Sequence, residues 1–107
     1  MFQGTWGFTA SINPILIPGR KAIAGAGTAT QLVTSSIPCN GLMVCADPGA
    51  GQVIAIGDST VAAGTGAWKG VLLFPGNPPL IVPTDDVSKV YFNSDNAGAV
   101  ACFTYFV

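Results

Sequence analysis

The stretch Ala99-Val100-Ala101-Cys102-Phe103-Thr104-Tyr105-Phe106-Val107 decides how this chain is read. In an extended strand successive side chains point to opposite faces. One face of this run carries Val100, Cys102, Thr104 and Phe106, and the other carries Ala99, Ala101, Phe103, Tyr105 and Val107. Both are mostly apolar, and no charge follows Asp95. A strand in an antiparallel fold normally shows one face to water. A strand apolar on both faces is therefore either central in a closed barrel or covered by a neighbouring subunit. On the second reading Phe103 and Tyr105, continuing to Val107, are expected at a subunit interface. The alternative is that they pack inside the chain itself.

Working outward from this run, nothing long reads as a helix. Fourteen glycines and eight prolines punctuate the chain, and the short segments between them are rich in Val, Ile and aromatics, the pattern of many short strands. Strands are expected at Ile15–Ile17, closed by a Pro18-Gly19 turn, at Thr28–Ser35 as an edge or entry strand, and at Leu42–Ala46. Further strands are expected at Val53–Ile56, Val71–Phe74, Leu80–Val82 and Lys89–Asn93. Asp47-Pro48-Gly49-Ala50-Gly51 is the clearest turn, and it is expected to join Leu42–Ala46 to Val53–Ile56 as a hairpin. Pro79 and Pro83 bracket Leu80–Val82, which suits an edge. Val90 and Phe92 share one face of their strand, with Lys89, Tyr91 and Asn93 on the other. Val61–Trp68 reads as a loop with one large anchor, Trp68, a further interface candidate. Roughly seven to nine short strands without a helix predict an all-β chain, a small antiparallel β-sandwich or jelly roll, with a small barrel as the alternative. Residues 1–37 read as an N-terminal arm or entry strands, possible members of the sandwich, and residues 38–107 as its core.

Charge sets the second constraint. Four basic and five acidic side chains serve 107 residues, half of them hydrophobic, with no histidine. About 35% of the extended-chain surface stays exposed in a domain of this size, and nine charges do not cover it. Part of the surface is then built from small polar and apolar residues or is buried against another chain. A net charge of −1 with scattered cations gives no field for nucleic acid. No apolar run approaches the roughly 20 residues of a membrane helix, and strands this short do not suit a membrane barrel. Met1–Ala10 has no basic leader region. Cys39, Cys45 and Cys102 lack metal-site spacing and read as small buried hydrophobes of a reducing compartment.

Without histidine neither a Ser-His-Asp nor a Cys-His arrangement is available. Asp47, Asp58, Asp85, Asp86 and Asp95 are the only carboxylates, and their plain reading is as turn caps; paired-carboxylate hydrolysis and calcium binding are the rival uses. Trp6, Trp68 and Tyr91 could stack on sugar rings, although each also suits a core or interface. The expectation is a chain that is not an enzyme, with no catalytic residue, cofactor or metal.

Four consecutive pieces carry a resemblance. They are Cys39-Asn40-Gly41-Leu42-Met43-Val44, Gly51–Val61 with its Gly57-Asp58-Ser59-Thr60 bend, Pro79-Leu80-Ile81-Val82-Pro83, and Asp86-Val87-Ser88-Lys89-Val90-Tyr91-Phe92. As an ordered set they resemble small tailed-phage virion proteins described as head-fibre, decoration or capsid-stabilising proteins. Met1–Ile37 and the Ala62–Pro78 loop have no clear counterpart. The resemblance implies a β-sandwich homotrimer on the exterior of the virion, in contact with the major capsid protein or another virion protein, with a structural role. A carbohydrate-binding or host-recognition module of a phage fibre or tail is the alternative.

Overall fold

Nested strand pairs build the fold, as if one long hairpin had been rolled up. The computed structural model describes residues 15–107. These contain β1 (Leu16–Ala22), β2 (Thr30–Gln31), β3 (Leu42–Ala46), β4 (Ile54–Gly57), β5 (Val71–Leu73), β6 (Leu80–Val82), β7 (Tyr91–Asn93) and β8 (Val100–Phe106). β1 pairs with β8, β2 with β7, β3 with β6 and β4 with β5, all antiparallel. Rolling the nest adds β3–β8 and β4–β7. The result is two four-stranded sheets, ordered β1-β8-β3-β6 and β2-β7-β4-β5. That connectivity is the eight-stranded jelly roll, a sandwich in which both sheets keep open edges. The expected all-β sandwich is observed, and the barrel alternative is not.

β8 is central, but in an open sheet, between β1 and β3. Its Ala99, Ala101, Phe103 and Tyr105 side faces inward with Leu42, Val44 and Ala46 of β3. The opposing layer supplies Ile54, Ile56, Leu73, Val90 and Phe92. Leu42, Ile54 and Phe92 are fully buried, so the core lies between the sheets and the alternation of each strand decides what enters it.

Three local expectations are corrected. Pro18-Gly19 is not a turn, because β1 runs straight through it. Pro18 sits opposite Thr104 on an edge strand, in a pair that exchanges no backbone bonds: the neighbouring bonded pairs, Ile15–Val107 and Ile23–Ala99, set the alternation. Its missing N–H therefore costs the ladder nothing. Asp47–Gly51 does not close a hairpin, since β3 and β4 lie in different sheets. The five-residue turn instead crosses the sandwich, a spacing of about 10 Å, and Asp47 stabilises it by accepting from the Gly49 N–H at 2.9 Å. The segment before β7 is not extended from Lys89. Val87–Lys89 forms a 3-10 turn, which Asp86 caps by accepting from Ser88 N at 2.9 Å.

Asp86 also accepts from the Ser36 hydroxyl, from Ile37 N at 3.1 Å and from Ser88 Oγ at 2.7 Å. One carboxylate thus ties the strand-linking segment 36–37 to the 3-10 turn. Those bonds favour its charged form and hold it well below the usual carboxylate range. β1 and β2 place residues 16–22 and 30–31 within the two sheets. Residues 1–14, with Phe2, Trp6 and Phe8, lie outside the described residues.

Candidate interaction surface

The two sheets treat their outer faces differently. On the second sheet, Asn93 and Ala55 are paired and point away from the core, yet both are buried. The loop between β4 and β5 covers them. Val61 of that loop is buried, its carbonyl accepts from Asn93 Nδ2 at 3.0 Å, and Ala62 and Lys69 bridge to close the cover. A buried amide is tolerable here because its bonds are made.

No described segment covers the first sheet in this way. Its register sets the outward residues in rows: Leu16 beside Phe106; Pro18, Thr104, Met43 and Ile81; and Arg20, Cys102 and Cys45. Leu16 is 59% exposed and Ile81 36%, while Met43, Cys45, Cys102, Thr104 and Phe106 are half-buried. The face is apolar apart from one end. There Arg20 reaches across β8 to Asp47, Nη2 to Oδ2 at 2.6 Å. That guanidinium and the Gly49 N–H hold the Asp47 carboxyl below its ordinary range.

A second apolar region flanks the first. Val71 and Phe74 at the β5 edge are each 50% exposed, and an opening of about 390 Å³ runs between Ile56, Val71, Ile81 and Val90. It lies where the β5 edge of one sheet meets the β6 edge of the other.

The interface residues expected from sequence do not come together here. Phe103 is 6% exposed, with its ring in the chain's own core. Tyr105 is half-buried against that core, its ring stacked on Phe103 at 6.5 Å between centroids. Val107 is exposed at the end of β8, bonded to Ile15. Trp68 lies half-buried in the cover over the opposite sheet. The outward residues are the other face of the same strand, Val100, Cys102, Thr104 and Phe106. Ala99 and Ala101 were the signal that could have chosen between the faces: small side chains beside Phe103 suit close approach of an opposing layer.

Each aspartate sits at a turn. Asp58 accepts from Thr60 N at 2.8 Å, Asp85 pairs with Lys89 at 2.8 Å, and Asp95 lies between β7 and β8. Among the described residues no helix is long and apolar enough to cross a membrane. Set against known proteins, the chain has no matching family model, and no curated protein or solved structure shows significant similarity to it.

Proposed function

We propose that this chain is a structural protein that assembles into a homotrimer and adds to the exterior of a phage capsid, bound to the major capsid protein or another virion protein. The observation that carries the reading is the apolar outer face of the first sheet, which nothing among the described residues covers as a loop covers the second. Its counterpart on the second sheet is closed by the loop between β4 and β5, and the proposed cover for this face is a second copy. A sheet face of four strands about 4.8 Å apart and three to seven residues long offers roughly 350 Å² per copy. Two such faces packed together bury under the roughly 1,000 Å² of a stable interface. The β5/β6 flank supplies the missing area. A contact of one copy's face with the next copy's flank is heterologous, and with a rotation of about 120° between copies it closes into a three-membered ring.

Jelly rolls recur in viral capsid and lectin domains, an analogy that favours this reading without assigning it. The resembling pieces also support it, because they fall on β3, β4, β6 and the Asp86-capped turn with β7, which are the framework rather than one loop. The work of such a protein is burial repeated over many copies, which turns modest contacts into durable attachment. Electron microscopy of intact particles tests it: threefold density of jelly-roll size is expected on the outer capsid surface. Particles lacking this chain would overturn the reading.

A further inference from the structure

Three of the chain's five sulfur-bearing side chains share one surface depression. Cys45 and Cys102 are direct partners across β3 and β8. Met43 lies two residues before Cys45 on the same face. All three line a single hollow of about 220 Å³ on the outside of the first sheet. Arg20 is the ladder partner of Cys102 on the other side, in β1.

The ladder fixes how far apart the thiols stand. Asp47 N bonds to Val100 O, and Phe106 N bonds to Gly41 O. These bonded pairs lie two and four residues along β3 from Cys45, so Cys45–Cys102 is itself a hydrogen-bonded pair. Such pairs are the wide ones, about 5.5 Å between Cα atoms, with Cβ atoms about 5 Å or more apart. A disulfide wants Cβ atoms near 3.8 Å, so the register disfavours a direct S–S bond. It suits two sulfurs held about 4.5 Å apart on either side of one ion, given metal–sulfur bonds of about 2.3 Å.

We propose that Cys45 and Cys102, with Met43 as a third donor, form a binding site for one soft monovalent metal ion of the copper(I) class. Thiolate and thioether ligands select such ions over hard ones. No three histidine, cysteine or carboxylate groups gather as a metal site among the described residues; the thioether completes the set here. Binding releases both thiol protons to solvent and leaves a bis-thiolate centre of net charge −1. Arg20, opposite Cys102 in the ladder and paired with Asp47, stands near that charge. The ion must displace the two thiol protons, so uptake falls as pH falls. All three sulfurs come from one copy, so the site stands or falls independently of trimer formation.

The test is anoxic titration of the full chain with copper(I) held by bathocuproine disulfonate, with ascorbate present. One equivalent is expected to move to the protein, and X-ray absorption of the loaded chain is expected to show two or three sulfur neighbours at about 2.3 Å. Cys45→Ser and Cys102→Ser should each weaken retention by more than about 100-fold. Arg20→Gln should weaken it by about tenfold, because outer partners are worth about 10–100-fold. Cys39→Ser, a change at a buried residue on a separate part of the fold, should leave it unaltered. Failure to take copper from the chelator, equal retention in Cys45→Ser, or loss on Cys39→Ser alone would each overturn the site. The absorption spectrum of the unmutated chain decides the matter without relying on any variant's folding.

Discussion

Gly19→Ala is the sharpest probe of how β1 meets β8, because two effects of opposite sign compete. Glycine inside a strand costs roughly 0.5–1 kcal/mol of chain entropy relative to alanine. Gly19 has no left-handed backbone that would forbid a side chain. On entropy alone the substitution should stabilise. The structure predicts the reverse: Gly19 faces Phe103 across the ladder, and a β-carbon there would run into the Phe103 ring at its Cζ and Cε atoms. That ring is wedged in the core and cannot swing away freely. Overpacking of this kind costs about 1–3 kcal/mol, so the net loss is about 1–2 kcal/mol. For a chain of this size that lowers Tm by roughly 5–10 °C. Urea and thermal unfolding at one fixed protein concentration measure it, since assembly would make Tm concentration-dependent. In a Phe103→Ala background the same Gly19→Ala change should become stabilising by roughly 0.5–1 kcal/mol. An unchanged or raised Tm for Gly19→Ala alone would refute the close approach of β1 to that ring.

Phe92→Ala removes a fully buried ring between the sheets and should lower stability by about 3–5 kcal/mol in denaturant titration. Asp86→Asn tests the cap by pH. The folded carboxyl titrates below its unfolded value, so its contribution is fully present above the unfolded pKa and disappears as pH falls through the folded one. The difference in urea midpoint between the unmutated chain and Asp86→Asn should therefore shrink from pH 7 toward pH 3; a constant difference would deny the charge a role. Leu16→Asp combined with Ile81→Lys should leave folding nearly unchanged, as exposed positions usually do, while dispersing the proposed trimer in size-exclusion chromatography.

The sequence announced the class of fold through its Gly and Pro punctuation and short β-rich runs, and the inward faces of β3 and β7 through simple alternation. Connectivity was less legible. Asp47–Gly51 has the residues of a turn whether it joins neighbours in one sheet or crosses between two, and only the pairing of distant strands separates the cases. Pro18-Gly19 misled because the chemistry that makes a turn also suits an edge strand, where the proline needs no donor and the glycine clears an aromatic ring. The candidate surface was half legible. Two apolar faces on the last strand were visible, but the larger aromatics drew attention to Phe103 and Tyr105, whereas Ala99 and Ala101 beside them mark the inward side. The cover on the second sheet was hidden because Asn93 reads as a surface residue until Val61 is placed above it. The sulfur cluster depended on a register between residues 45 and 102 that no local pattern encodes.

Light scattering of the purified chain across micromolar concentrations tests the central claim most directly, namely the proposal that another copy covers the apolar outer face of the first sheet. A mass of three 10.8 kDa chains, falling to one in Leu16→Asp/Ile81→Lys, is the expected result. A monodisperse single chain at every concentration, or a trimer indifferent to both substitutions, would contradict it.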